Sequence, residues 1–133
     1  MPHPAVVVHG LNDAAAALAL GQPLTLLSAR GAALYAGCLW WRELVLQARS
    51  AHPSVAIYDL LDCADAPGLA LGAIRAGQRA LVLSPDVPGF AAVASLARER
   101  GLTVLSARPP ALDLARPGAR RRLHAWLTGD GLA

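Results

Sequence analysis

The hexapeptide Asp65-Ala66-Pro67-Gly68-Leu69-Ala70 returns later in the chain as Asp86-Val87-Pro88-Gly89-Phe90-Ala91. Each copy opens an alanine-rich segment that ends at a glycine, and a short apolar run follows that glycine. The copies are separated by the length of one helix plus one strand, and an aspartate shortly before a proline is typical of a helix start. The repeat therefore predicts alternating helices and strands, with Asp65 and Asp86 as helix caps.

Short apolar runs separated by helix-forming segments extend this alternation through the chain. Strands that alternate with helices form parallel sheets joined by right-handed crossovers. We therefore predict an α/β fold with a five-stranded parallel sheet in a three-layer αβα sandwich, Rossmann-like or flavodoxin-like. Half of a (βα) barrel is the minority alternative. The five predicted strands are Ala5–His9, Leu24–Ser28, Val55–Leu60, Ala80–Ser84 and Leu102–Ser106.

The remaining segments complete the predicted architecture. Gly31–Ser50 is predicted as the longest helix, Arg116–Leu127 as the last helix, and Pro109–Ala115 as an extended connection between the fifth strand and that last helix. At 133 residues with no linker or low-complexity segment, the chain is predicted to be a single α/β domain spanning residues 1–133.

Cysteine usage and the N-terminal sequence indicate a reducing compartment, the cytoplasm. Cys38 and Cys63 are too few for a disulfide framework and lack CxxC spacing, so reduced thiols are expected. The N-terminus lacks the pattern of a signal peptide, and no apolar segment reads as a membrane span. We expect a cytoplasmic protein with no membrane partner.

The basic residues exclude several chemistries. All 12 are arginine. The chain therefore cannot use the chemistries that need a lysine amine: Schiff-base catalysis, the covalent binding of pyridoxal phosphate, and phosphate binding by a P-loop lysine. The net charge of +3 arises beyond Asp113, where four arginines stand against one acid. A basic face interleaved with aromatic residues is missing, so no nucleic-acid partner is expected.

The Gly31–Ser50 segment carries apolar side chains on more than one side of the predicted helix. Tyr35, Leu39 and Leu46 fall among its charged residues, and Trp40 lies at the border of that face. A helix with a second apolar patch is typically packed on both sides. We therefore predict a homo-oligomer that forms through helix 31–50.

The same tripeptide, Ser-Ala-Arg, stands at the end of two of the predicted strands, as Ser28-Ala29-Arg30 and as Ser106-Ala107-Arg108. In open parallel sheets, ligands gather at the carboxyl ends of the strands. Hydroxyl groups, free amides at a helix start and guanidinium groups bind anions. The predicted site for a small anionic ligand comprises Ser28, Arg30, Gly31, Ser84, Ser106 and Arg108.

Asp62 and Cys63 follow the third predicted strand, and His9 follows the first. A carboxylate and an imidazole at a strand edge can act as an acid and a base. An enzyme that uses His9, Asp62 and Cys63, a small hydrolase or lyase, is therefore an alternative. No cofactor is predicted, because the GxGxxG motif of dinucleotide binding is absent after the first strand, and no GxSxG elbow presents a serine nucleophile. No metal site is predicted, because Asp65 is accounted for as a helix cap and Asp59 lies in a strand among apolar neighbours.

The alternation of helix and strand in the repeated units resembles that of aldolase-type barrels. The absence of lysine excludes the members of that group that form a Schiff base. No family motif matches residue by residue. The sequence leaves three hypotheses: a homo-oligomeric binding module for a small anionic, phosphorylated ligand; the small enzyme; and a ligand-free scaffold or subunit of a protein complex.

Overall fold

The protein is described here by a computed structural model over residues 3–129. Strands and helices alternate through most of the chain, which confirms the predicted α/β class. The strands are Ala5–Val7 (β1), Leu24–Leu27 (β2), Ile57–Asp62 (β3), Ala80–Val82 (β4), Thr103–Leu105 (β5) and Ala111–Asp113 (β6). The α-helices are Leu11–Leu18 (α1), Ala32–Tyr35 (α2), Cys38–Ala51 (α3), Pro67–Arg75 (α4), Phe90–Arg100 (α5) and Leu123–Leu127 (α6).

The strands form a parallel sheet in the order β5-β4-β3-β2-β1-β6. The strands of the Rossmann and flavodoxin folds follow the orders 3-2-1-4-5-6 and 2-1-3-4-5, so both predicted subclasses are wrong. Here β1 to β5 lie side by side in chain order, as strands do in a (βα) barrel. Hydrophobic patterning indicates which segments are strands but carries no information about which strands are neighbours. The three-layer arrangement stays a prediction.

A sixth strand corrects the predicted number of five. Ala111–Asp113, which we expected to be an extended connection, pairs in parallel with β1, with Ala5 opposite Ala111 and Val7 opposite Asp113. The segment was already extended by its preceding prolines, and the edge of β1 supplies hydrogen-bond partners for its backbone. Unlike the apolar runs that marked the other strands, Ala111–Asp113 has a single buried residue, Leu112, and no β-branched residue, so its sequence shows no strand pattern.

The predicted helix over Gly31–Ser50 is interrupted. Helix α2 ends before Gly37, whose φ of +90° is a conformation that favours glycine, and α3 then begins at Cys38. The amide of Gly37 donates to the carbonyl of Ala32, which terminates α2 as glycine commonly does at the end of a helix. Sequence composition alone did not distinguish this glycine from one inside a helix.

The predicted last helix, Arg116–Leu127, is also shorter than expected. A 3-10 turn covers Arg120–Arg122 and α6 covers Leu123–Leu127. Pro117 disfavours a helical conformation for Arg116, so the helix cannot begin there.

The Asp-x-Pro-Gly copies begin helices as predicted, but their aspartates do not cap them. The N-cap of α4 is Ala66 and that of α5 is Gly89, and no described side chain caps either helix by a hydrogen bond. Asp65 and Asp86 lie ahead of the cap positions, so their carboxylates serve neither helix. The two copies pack together, because a Cβ added at Gly89 would lie 3.3 Å from Cβ of Pro67.

The chain divides into two compact units. Among the described residues, the first unit comprises residues 3–27, Leu44–Asp59 and residues 109–129. The second comprises Ser28–Glu43 and Leu60–Arg108. The core of the first includes Val6, Leu18 and Leu26, and that of the second includes Trp41, Leu81 and Val93, all of them buried. The assignment of residues 1–133 to one domain stays a prediction.

Candidate functional site

A cavity of about 670 Å³ opens in the second unit where strands β3, β4 and β5 end. Its position agrees with the general rule that ligands bind at the carboxyl ends of parallel strands. Five of the six residues predicted for the anion site line this cavity: Arg30, Gly31, Ser84, Ser106 and Arg108. The structure therefore brings most of that predicted set together.

Arg108 is held in place by two hydrogen bonds from one nitrogen. Its Nη1 donates to the carbonyl oxygen of Ser28 at 3.0 Å and to Oδ2 of Asp62 at 2.7 Å. The Arg108 and Asp62 side chains are only 15% and 5% exposed. A guanidinium carries five N–H donors. Within residues 3–129, no hydrogen bond occupies Nε or Nη2 of Arg108, so these atoms remain for a ligand.

Asp62 organises the loops around the cavity. Its Oδ1 accepts hydrogen bonds from the amides of Gly31 at 3.0 Å and Ala64 at 2.8 Å. Ala64 has a φ of +50°, a conformation that costs an L-amino acid about 1 kcal/mol or more. Two hydrogen bonds hold this turn: the Ala64 amide donates to Asp62, and the Ser84 amide donates to the Ala64 carbonyl at 2.7 Å. Asp62 therefore positions the site through its neighbours.

Ser28 supports the same arrangement from below the surface. It is fully buried, and its Oγ accepts a 2.9 Å hydrogen bond from the Asp62 amide and donates to the Ala29 carbonyl. Ser28 does not line the cavity. Its predicted role as an anion ligand stays a prediction, and its contacts are those of a residue that positions Asp62.

Sequence reasoning assigned Asp65 and Asp86 to helix caps and overlooked them as site residues. Both line the cavity, and both are exposed. Within the described part of the chain, neither carboxylate forms a hydrogen bond or an ion pair. The backbone amide of Asp86 does donate a hydrogen bond, to Ser84 Oγ at 3.4 Å. The signal that could have found them is the repeat itself, because both copies end at the same edge of the sheet.

The charges around the cavity are mixed. Two arginines, Arg30 and Arg108, and three aspartates, Asp62, Asp65 and Asp86, line it. Asp62 and Arg108 neutralise each other at 2.7 Å. Arg30 then stands with two carboxylates, and it too has no ion pair or hydrogen bond within residues 3–129.

His9 belongs to the first unit and has a partner that the sequence did not suggest. Its Nε2 lies 2.7 Å from Oδ1 of Asp113, and its amide donates to Oδ2 of Asp13 at 2.9 Å. Burial acts to raise the pKa of Asp113, but the Ala115 amide, the bond and charge of His9 and the charge of Arg116 outweigh burial and lower that pKa.

Cys63 is fully buried in the second unit. Burial, with smaller contributions from the charges of Asp62 and Cys38, raises the pKa of its thiol to about 12. The thiol is therefore protonated at neutral pH, whereas a nucleophilic cysteine needs an accessible thiolate. Catalysis by His9, Asp62 and Cys63 stays a prediction that these contacts do not favour.

The C-terminal arginines line a smaller cavity of about 360 Å³ in the first unit. Arg116, Arg120 and Arg121 contribute to it, and Arg120 Nη2 pairs with Asp13 Oδ1 at 2.9 Å.

Across residues 3–129, no three histidine, cysteine or acidic side chains come together in a way that could hold a metal ion. The helices described in this range are all too short or too polar to cross a bilayer.

The chain matches no protein-family model, and no curated protein matches it in sequence. The function is therefore inferred from the geometry of the cavity.

Proposed function

We propose that the chain is a homo-oligomeric binding module for a small anionic, phosphorylated ligand, which occupies the cavity at the ends of β3, β4 and β5. The observation that carries the proposal is the placement of Arg30 and Arg108 on one cavity, with Arg108 fixed by Asp62 and the Ser28 carbonyl. A guanidinium binds a phosphate group through two parallel hydrogen bonds, and fixing it beforehand reduces the entropy lost on binding.

The hydroxyl groups of Ser84 and Ser106 support the same proposal. Both residues line the cavity with the arginines, and a hydroxyl group can donate to a phosphate oxygen. The volume of about 670 Å³ lies within the range typical of small-molecule sites.

Thermal shift and titration calorimetry with two phosphate monoesters, ethyl phosphate and O-phosphoethanolamine, test this proposal. We expect at least one of them to raise the Tm of the native protein. Arg30→Ala should weaken binding by roughly tenfold or more, because a hydrogen bond to a charged group contributes about 1.5–3 kcal/mol. Arg79→Ala is the matched control, since Arg79 is exposed in the same unit and does not line the cavity.

Two results would refute the proposal. The first is that neither ester binds, in which case the ligand-free scaffold becomes the better hypothesis. The second is that Arg30→Ala and Arg79→Ala bind the esters equally well.

The homo-oligomeric part of the proposal is supported by exposed apolar side chains on α2 and α3. Tyr35 is 70% exposed, Leu39 67% and Leu46 50%, and Trp40 is also partly exposed. Leu39 and Leu46 are seven residues apart on α3 and therefore share one side of that helix. Burying this side against a second copy removes apolar surface from water, which is the main favourable contribution to most association.

A further inference from the structure

The two arginines and the two unpartnered aspartates of the cavity come from duplicated motifs. Arg30 and Arg108 are the last residues of the two Ser-Ala-Arg motifs, and Asp65 and Asp86 are the first residues of the two Asp-x-Pro-Gly motifs. All four residues line the same cavity. Both copies of both motifs thus contribute to one site.

Ser84 fixes the positions of the two acidic loops. Its amide donates to the carbonyl of Ala64, next to Asp65, at 2.7 Å, and its Oγ accepts from the Asp86 amide at 3.4 Å. The close approach of Gly89 to Pro67 joins the same two loops a few residues further on. Asp65 and Asp86 are therefore presented on one rim that is anchored in two places.

The fold does not use these two carboxylates. They cap neither α4 nor α5, and within residues 3–129 they form no ion pair and accept no hydrogen bond. A phosphate group bound by Arg30 and Arg108 would share the cavity with both carboxylates, and like charges within one cavity repel. A ligand that is only an anion leaves this repulsion uncompensated.

We propose that the ligand is a zwitterion of the aminoalkyl phosphate class, with its phosphate on Arg30 and Arg108 and its ammonium group on Asp65 and Asp86. This inference rests on the proposed function and specifies its ligand. The ammonium group supplies three hydrogen-bond donors and one positive charge, which two carboxylates can accept. The pairing also explains why Asp62, which is already paired with Arg108, differs from the other two aspartates of the cavity.

Titration calorimetry with a matched pair of compounds tests the inference. O-phosphoethanolamine and ethyl phosphate have similar length and the same phosphate, but only the first has an amine. We expect the native protein to bind O-phosphoethanolamine at least roughly tenfold more tightly, since charge-assisted bonds are about twice as strong as neutral ones. The measurement is made at neutral pH in the presence of a chelator.

The double variant Asp65→Asn/Asp86→Asn should invert this preference. It removes both negative charges and keeps the size of the side chains, so O-phosphoethanolamine should bind more weakly and ethyl phosphate more tightly. Glu99→Gln is the control, because Glu99 is an exposed acid on α5 that does not line the cavity. Circular dichroism should give the same helix content for all these forms, because neither aspartate side chain has a partner within residues 3–129.

The possible failures are distinguishable. If both compounds bind with the same affinity and the double variant leaves their ratio unchanged, the zwitterion is wrong while the proposed function stands. If ethyl phosphate binds tightly only when Mg²⁺ replaces the chelator, the carboxylates serve a metal ion and the ammonium assignment is wrong. If neither compound binds, the proposed function fails and this inference fails with it.

Discussion

Arg108 Nη1 lies 2.7 Å from Asp62 Oδ2, and this ion pair connects the end of β3 with the segment that follows β5. The other oxygen of this carboxylate, Oδ1, accepts hydrogen bonds from the backbone amides of Gly31 and Ala64. One buried group thus holds three segments of the second unit around the cavity.

The first prediction concerns the stability that this pair supplies. Arg108→Met should lower the free energy of unfolding by about 3 kcal/mol, because it leaves a buried carboxylate without its counter-charge. Arg120→Met is the matched control, since its ion pair with Asp13 is more exposed, and it should cost under about 1 kcal/mol. Urea unfolding measures both values, and equal losses for the two variants would contradict the assignment.

The second prediction concerns thiol reactivity. With a thiol pKa of about 12 and full burial, Cys63 should react with a disulfide reagent only when the protein unfolds. Single-thiol variants, Cys38→Ser and Cys63→Ser, allow each cysteine to be followed alone. We expect Cys38, which is partly exposed, to react faster in the native state. If Cys63 is labelled in the native protein as fast as in denaturant, its thiol is open to solvent and the prediction is wrong.

The third prediction concerns acid stability. The pKa of Asp113 is lowered from its ordinary value of 3.8 on folding, so its contribution to stability is complete above that value. The contribution is lost as the pH falls from 3.8 towards the lower pKa of the folded state. Over this range the native protein should lose more stability than Asp113→Asn does. Urea titrations at several pH values below neutrality test this, and parallel curves would contradict it.

The fourth prediction compares two glycines with similar positive φ angles. Gly37 and Gly89 have φ values of +90° and +97°. Alanine at position 37 meets no atom within 4 Å, whereas at position 89 its Cβ would lie 3.3 Å from Pro67 Cβ. Gly37→Ala should therefore cost about 1 kcal/mol from backbone strain alone, and Gly89→Ala about 2–3 kcal/mol. Thermal unfolding of the two variants tests the difference, and a larger loss at position 37 would refute it.

The fifth prediction concerns the exposed side of α3. Leu39→Glu should shift the native protein towards a smaller species, because it places a charge within the proposed contact between copies. Leu20→Glu is the control, since Leu20 is also partly exposed but follows α1 in the chain and belongs to neither α2 nor α3. Light scattering at several protein concentrations reads out the mass. A monomer at every concentration for the native chain would refute the homo-oligomer.

The sequence predicted the alternation of elements well, because the evidence for alternation is local. A proline and glycine after an aspartate indicate a helix start, and leucine and valine runs of fixed length indicate buried strands. A helix does begin at each Asp-x-Pro-Gly copy, at Pro67 within the first and at Phe90 directly after the second. The end of α2 at Gly37 was missed because an isolated glycine has the same appearance inside a helix and at its end.

The site was predicted only in part for a related reason. The strand-end rule located Arg30, Ser84 and Arg108 on one cavity, since that rule depends on strand direction alone. The hydrogen bonds that Asp62 accepts from Gly31 and Arg108 depend on which strands are neighbours, and patterning does not encode neighbours. Asp113 was missed as the partner of His9 because β6 was not recognised as a strand.

The buried indole of Trp41 has a spectroscopic consequence. Its ring is fully buried, and its Nε1–H has no acceptor among the described residues. An indole buried in an apolar core emits at shorter wavelength than one in contact with solvent, such as the partly exposed Trp40. The fluorescence maximum of the chain should therefore move to longer wavelength when the second unit loses its core.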